Sequence, residues 1–325
     1  MASSNPPGLT WALIQEARAR IAPLVHRTPV LTSATLDGES GAHLFFKCEN
    51  LQKGGAFKAR GASNAVFSLP EAQVRNGIAT HSSGNHAAAL ARAARLRGVP
   101  AYIVMPRSTP LAKRAAVERQ GAEIMLCEPT LAARERAAAE VIERTGATLV
   151  HPYDDLAVMA GQGTVGAELF EQVPDLDVVL APVSGGGLMS GIAVAARTLR
   201  PQVRVVGVEP AGADDAARSM SAGRIVPCER PETIADGLRA TIGVRPFAEF
   251  LRYVDGIERV SDAEIVAAMR RIWEVMKIIV EPSGATAYAA VADGRIAVGG
   301  ARVGIVLSGG NLDLEALPWI KPARG

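Results

Sequence analysis

The sequence predicts an α/β protein built on open, mostly parallel sheets covered by helices, and three observations carry that reading. Short apolar runs alternate with alanine-rich amphipathic stretches from about residue 44 onward. Two of those stretches, PLAKRAAVERQG and LAARERAAAEVIERTG, close on the glycine expected after a helix C-terminus. Several apolar runs end in small polar and glycine residues, and in parallel sheets the carboxyl ends of the strands are where ligands sit.

Taken in order, strands are predicted at HLFFKCE (43–49), GIATHSS (77–83), AYIVMP (101–106), AEIMLCE (122–128) and TLVHP (148–152). Three more follow at DVVLAPVS (177–184), RVVGVEP (204–210) and RVGIVLSGG (302–310). Most are continuous apolar runs, the pattern of strands covered on both faces. Helices are predicted between them, at HAAALARAARLRG (86–98), PLAKRAAVERQG (110–121) and LAARERAAAEVIERTG (131–146). No linker, low-complexity stretch or repeat marks a domain boundary.

The 325 residues suffice for two domains or one large one, and 48% hydrophobic with 21% charged residues is the profile of a soluble globular chain. A net charge of +2 without a basic run makes nucleic acid an unexpected partner. Cys48, Cys127 and Cys228 lie far apart, against a disulfide framework or a zinc knuckle. The start, MASSNPPGLTWALIQEARAR, has no basic segment followed by an apolar one, so a cytoplasmic location is expected. VVLAPVSGGGLMSGIAVAA (178–196) is uncharged and long enough to cross a bilayer, but Pro182 and three consecutive glycines interrupt it. A buried strand, a tight loop and a helix fit better than a membrane span.

Three strand ends draw attention: THSSGNH (80–86), APVSGGGL (181–188) and VLSGGN (306–311). Two of them run straight into helix starts, whose free N–H groups favour an anion. SGGGL (184–188) has no Lys-Ser/Thr after it and so is no nucleoside triphosphate loop; it suits a single phosphate. GQGTVG (161–166) matches the dinucleotide fingerprint G-x-G-x-x-G, which makes a dehydrogenase the rival reading. Its context is wrong: DDLAVMA separates it from the preceding strand, and no acid follows to hold a ribose. Those glycines are expected to permit close helix packing instead. In KGGAFKARGASN (53–64), Lys58 follows the aromatic Phe57 after a glycine turn. A solvated helix-face lysine is one reading; a lysine beside a flat cofactor is the other. A phosphate cradle, a lysine beside an aromatic ring and a polar SSGNH loop together describe pyridoxal phosphate better than ATP.

With these motifs in this order, the chain resembles the fold type II pyridoxal-phosphate enzymes, specifically the serine/threonine dehydratase and serine racemase group, whose members also include hydroxyaspartate and phenylserine dehydratases. The resemblance runs from HRTPV (26–30) to LSGGN (307–311) through HPYDD, GVEPAGADD, ETIADGL and VEPSGA. It implies two open, twisted, mostly parallel sheets. It also implies a small domain (77–152) inserted in a larger cofactor-binding domain (1–76 and 153–325). The expected partners are a small amino-acid substrate and a second copy of the chain. The implied reaction is elimination from an L-β-hydroxy amino acid to a 2-oxo acid and ammonia; amino-acid racemisation is the alternative.

The resemblance also implies roles residue by residue. Lys58 matches the Schiff-base lysine, whose amine needs a lowered pKa to act. Phe57 backs the cofactor ring, and Ala56 stands where serine is common. Ser184, Gly185, Gly186, Gly187 and Leu188 are assigned to the phosphate, Asn85 to the 3′ oxygen and Ser308 to the pyridine nitrogen. A serine there cannot hold the ring strongly protonated, which favours expelling a β-substituent over transamination. Ser82, Ser83, Asn85 and His86 are expected to hold the substrate carboxylate at a helix N-terminus. Ser83 matches the serine that acts opposite the lysine in the racemase branch, where many pure dehydratases carry alanine. Glu209, Asp215 and the carbonyl of Ala213 match a divalent-metal site, whose oxygen ligands suit Mg²⁺ or Ca²⁺. Arg134 matches an arginine near the substrate. Tyr153 and Ala240 replace polar groups of mammalian-type racemases; serine/threonine-type dehydration is the favoured expectation, with 3-hydroxyaspartate or a bulky β-hydroxy amino acid such as phenylserine as the alternatives.

Overall fold

The strands predicted from apolar runs assemble into two sheets in the computed structural model, which describes residues 8–320. In chain order they are β1 (Val30–Leu31), β2 (His43–Cys48), β3 (Ile78–His81), β4 (Ala101–Pro106) and β5 (Glu123–Cys127). They continue with β6 (Thr148–Leu149), β7 (Val178–Pro182), β8 (Arg204–Pro210), β9 (Gly256–Val260) and β10 (Arg302–Leu307). The first sheet has the order β1-β2-β10-β7-β8-β9 and the second β5-β4-β3-β6. Every pairing is parallel except β1 with β2. The second sheet is drawn wholly from residues 78–149. Residues 1–7 and 321–325, the ends of the expected large domain, lie outside the described residues.

Parallel register decides where the functional loops emerge. Leu307 of β10 lies beside Cys48 of β2, and Ile305 lies beside Leu180 of β7. The carboxyl ends of β2, β10, β7 and β8 therefore share one edge, with LSGGN, SGGGL and Glu209 all on it. Two strands escape the sequence reading. Strand β9, GIERV, is an edge strand with half-exposed residues, so it carries charges where a central strand carries aliphatics. Strand β1 is only two residues long.

The uncharged 178–196 run divides into β7, a loop and the Gly187–Leu199 helix, whose residues through Ala196 are buried. Burial on all sides explains its lack of charge. Among the described residues no helix is long and apolar enough to cross a membrane. GQGTVG lies within the Leu156–Gln172 helix and is buried throughout. A Cβ on Gly161 would come within 2.6 Å of the Gly61 Cα, and one on Gly191 within 2.6 Å of the Gly163 Cα. These helices thus touch backbone to backbone, and the fingerprint serves packing rather than a dinucleotide.

Beneath the site a fully buried ionic network fixes the Lys58–Ser68 helix. The Arg60 guanidinium donates to both Glu49 oxygens at 2.8 Å and to both Glu168 oxygens at 2.7 and 2.8 Å. Lys47 Nζ completes it at 2.7 Å from Glu168. Removing one partner would strand a buried charge, a cost of roughly 3–5 kcal/mol. The network lies two residues along the chain from Lys58, so it sets where that lysine emerges.

Candidate active site

Lys58 opens its helix directly after a turn with Gly54 and Gly55 at φ of 69° and 74°. The turn is stitched to the end of β10: Phe57 N–H donates to Ser308 O at 3.0 Å and Gly310 N–H to Gly55 O at 2.9 Å. Lys58 Nζ donates to Pro152 O at 2.8 Å and sits 5.1 Å from the Phe57 ring centroid. No carboxylate offsets its loss of water, and desolvation pushes its ammonium down to about 8.

Facing it is the loop that precedes the Asn85–Arg97 helix. Gly84 holds the N-cap without a side-chain cap, so the first N–H groups of that helix are open to an acceptor. Ser82 Oγ accepts from Gly84 N–H at 3.5 Å. Asn85 is held by Glu281 and Asn311. His86 is buried with neither ring nitrogen hydrogen-bonded. Desolvation, then the nearby Lys58, drives its pKa well below the usual imidazole value, so the ring is neutral. His151 is likewise pushed down to about 4, by desolvation and then by His81.

The third element is the turn between β7 and the Gly187–Leu199 helix. Gly186 adopts φ 89° at the N-cap, a left-handed conformation that L side chains resist, and it offers no capping side chain. Gly185 packs against the Tyr153 ring so closely that a Cβ would lie 2.2 Å from Tyr153 Cγ. The Ser184 hydroxyl accepts from Ala240 N–H at 3.1 Å, and Gly185 O accepts from Gly243 N–H at 3.1 Å. The result is a rigid cup of backbone donors at the positive end of a helix.

One cavity of about 640 Å³ collects these elements: Phe57 and Lys58, Ser82 to His86, Arg134, Ser184 to Leu188, and Ser308 all line it. Ser308 is almost fully buried and its hydroxyl lies 3.4 Å from Ser283 O. Arg134 reaches the cavity from the Leu131–Thr145 helix with its Nε buried and unpartnered. Tyr153 fills the wall beside the glycine turn, and desolvation, reinforced by Asp154, pushes its phenol up to about 12, so it is a hydrogen-bond donor. The contributing loops come from both sheets.

Glu209, Ala213 and Asp215 lie outside the cavity. Both carboxylates are buried; Glu209 accepts from Ala217 N–H at 2.9 Å and Asp215 Oδ2 from Ile242 N–H at 2.8 Å. Asp215 Oδ1 has no partner. Desolvation and then Asp215 raise Glu209 well above the carboxylate range. Among the described residues no cluster of three or more His, Cys, Asp or Glu side chains could hold a metal. The Asp215–Ile242 bond leads on to Gly243 and thence to Gly185, tying this acidic pair to the glycine turn.

Comparison with known proteins decides the family. The profile described as pyridoxal-phosphate dependent enzyme matches residues 21–309. The chain belongs to the pyridoxal-phosphate dependent enzymes. It is 50% identical over 310 residues to a β-hydroxyaspartate dehydratase of Paracoccus denitrificans, covering 95% of this chain and 98% of the relative. It is 48% identical over 309 residues to a serine racemase of Arabidopsis thaliana, covering 94% and 93%. A solved maize serine racemase superposes with a TM-score of 0.93 at 47% identity, covering 95% of each chain.

The residues present fit pyridoxal phosphate on the structure's own terms. The glycine turn is a cup of free backbone donors that a single Cβ at Gly185 would distort, and it suits a dianionic phosphate. The same cavity holds an amine with a depressed pKa, the group an aldehyde cofactor requires. Glu281, Lys113 and Asp236, to which the sequence motifs give no role, also line this cavity. The VEPSGA motif held the signal for Glu281, since an acid directly before a proline at a helix start is an N-cap position.

Proposed function

We propose that this enzyme is a lyase that converts an L-β-hydroxy amino acid to a 2-oxo acid and ammonia by α,β-elimination. The observation that carries the reading is Lys58, a lysine of lowered basicity, in one cavity with the glycine turn, Ser308 and an open helix N-terminus. Lys58 would hold the cofactor by its amine, the backbone of Ser184 to Leu188 its phosphate, and Asn85 and Ser308 its ring. Bound pyridoxal phosphate supplies an electron sink that acidifies the Cα–H bond of an amino acid. The open N–H groups of the Asn85–Arg97 helix, with Ser82 and Ser83, take the substrate carboxylate and turn Cα toward Lys58. Lys58 Nζ would take the Cα proton. The β-hydroxyl would leave as water, carrying off the proton that Lys58 took from Cα, and the released enamine would tautomerise and hydrolyse to the 2-oxo acid and ammonia.

Substrates with a second carboxylate, the L-3-hydroxyaspartates, are the class best supported. Arg134 lines the cavity with a buried, unpartnered Nε, and a relative at 50% identity is a β-hydroxyaspartate dehydratase. Purified holoenzyme given L-3-hydroxyaspartates, L-serine, L-threonine and L-phenylserine should release 2-oxo acid and ammonia in equal amounts, fastest with a hydroxyaspartate. Equal inertness toward all of them would refute the lyase reading.

Racemisation is the second reading, favoured by the serine racemase relatives and by a second hydroxyl, Ser83, in the cavity with Lys58. If it occurs, D-enantiomer should accumulate and vanish in Ser83→Ala, while elimination persists. Unchanged D-enantiomer formation in that variant would assign Ser83 to substrate positioning alone.

Glu209, Asp215 and the Ala213 carbonyl form, on this reading, a structural Mg²⁺ or Ca²⁺ site, supported by two buried acids and an orphaned Asp215 Oδ1. An ion at 100 times its dissociation constant would add about 2.7 kcal/mol to native stability. A chelator should therefore lower the melting temperature by several degrees, and Asp215→Ala should remove that sensitivity. Superimposable melting curves with and without chelator would return these acids to a metal-free role.

A further inference from the structure

VEPSGA is the motif that the chemistry above leaves without a role, and its acid points at the cofactor cavity. Glu281 precedes the Pro282–Ala292 helix, is 4% exposed, and has no ion-pair partner among the described residues. Its Oε1 accepts from Asn85 Nδ2 at 2.8 Å. On the other side of the same amide, Asn311 Nδ2 donates to Asn85 Oδ1 at 3.0 Å and to Gly54 O at 2.7 Å. A carboxamide offers two N–H groups and one carbonyl. With the carbonyl facing Asn311 and one N–H spent on Glu281, the group left for the cavity is the second N–H. Asn85 thus presents a donor there.

The neighbouring sequence is shaped around this arrangement. A Cβ on Gly309 would come within 2.5 Å of Glu281 Oε1, so the residue after Ser308 must be glycine for the carboxyl to reach Asn85. Glu281 N–H donates to Gly309 O at 3.0 Å, which fixes the start of its helix against the end of β10. Burying a carboxyl here has a cost, since burial pushes Glu281 up to about 8, Asp236 adds to the rise, and Asn85 and Lys113 oppose it. Asp236 and Lys113 are themselves ion-paired, from different sides of the cavity.

We propose that Glu281 is a positioning residue that pins the Asn85 amide as a hydrogen-bond donor toward the bound cofactor. The proposal rests on the reading of Asn85 as a cofactor-facing residue. Its consequence is electronic: an N–H aimed at the ring oxygen stabilises that oxygen's ionised form, and a released amide does not.

The test is the visible spectrum and the cofactor dissociation constant of four holoenzymes: native, Asn85→Ala, Glu281→Gln and Glu281→Ala. Glu281→Ala should move the absorbance maximum in the same direction as Asn85→Ala and weaken cofactor binding by about 10-fold, the worth of one polarised hydrogen bond. Glu281→Gln keeps an acceptor carbonyl but cannot ionise. It should retain the native maximum at pH 7 and lack the spectral change expected of the native enzyme on titration through about pH 8. If Glu281→Ala does not fold, Glu281→Asp, one methylene too short to reach the amide, takes its place with the same expected shift. Native spectra in the Glu281 variants beside a shifted Asn85→Ala would overturn the positioning role. A native spectrum in Asn85→Ala itself would remove the reading of Asn85 and the proposal with it.

Discussion

Lys58→Ala is expected to fold, to lose the visible absorbance of the bound cofactor, and to turn over at least about 10⁴-fold more slowly than the native enzyme. The size follows from two roles in one amine. As the cofactor's attachment point it brings the reactive aldehyde into register with Ser308 and the glycine turn, and as a base it takes the Cα proton. Its environment prepares both: the ammonium is desolvated without a compensating carboxylate, so the neutral amine is within reach near pH 8. Among the described residues the side chain's only hydrogen bond is to Pro152 O, so truncation removes no ion pair. Loss of activity should therefore come without a large loss of stability. Cofactor added in excess would not restore turnover, whereas a small primary amine in the assay buffer should restore a fraction of it. Retention of the visible band and of turnover in Lys58→Ala would place the chemistry elsewhere.

Arg134→Ala is expected to lower kcat/KM for the L-3-hydroxyaspartates by about 10²-fold while changing that for L-serine by less than about 3-fold. A guanidinium with a buried, unpartnered Nε is waiting for an acceptor, and a second carboxylate is the acceptor that a planar donor fork matches. The loss should fall mainly on KM, since the side-chain carboxylate is bound equally before and during proton removal. Arg134→Lys should recover only part of it, because an ammonium cannot make the bidentate contact. Equal losses for both substrates would mean that Arg134 supports the cavity wall rather than reading the side chain.

Much of this site is legible in the sequence, because its parts are backbone parts. Glycine turns and open helix starts write themselves into the sequence as SGGGL and SSGNH, and parallel register then brings the ends of β10 and β7 together. The turn at Gly185 and the lysine at Lys58 accordingly line one cavity. Side-chain networks were less legible. That Glu281 meets Asn85, 196 residues away, depends on a helix start docking against a strand end, and no local pattern reports it. Tyr153 shows the same limit: as a departure from a polar residue it left the cavity's size open, and only the packing of its ring on Gly185 reveals a filled wall. The edge strand β9 was missed for the opposite reason, since half-exposed GIERV carries the charges of a loop. GQGTVG shows that a motif without its strand and turn is a packing device.

The most direct test of the lyase reading is the partition of one substrate pool. Holoenzyme is incubated with a single L-β-hydroxy amino acid, and the 2-oxo acid, ammonia and D-enantiomer are quantified from the same reaction. The 2-oxo acid and ammonia should form in a one-to-one ratio, together exceeding any D-enantiomer, and both should be lost in Lys58→Ala. Accumulation of D-enantiomer with no 2-oxo acid would contradict it and make this enzyme a racemase.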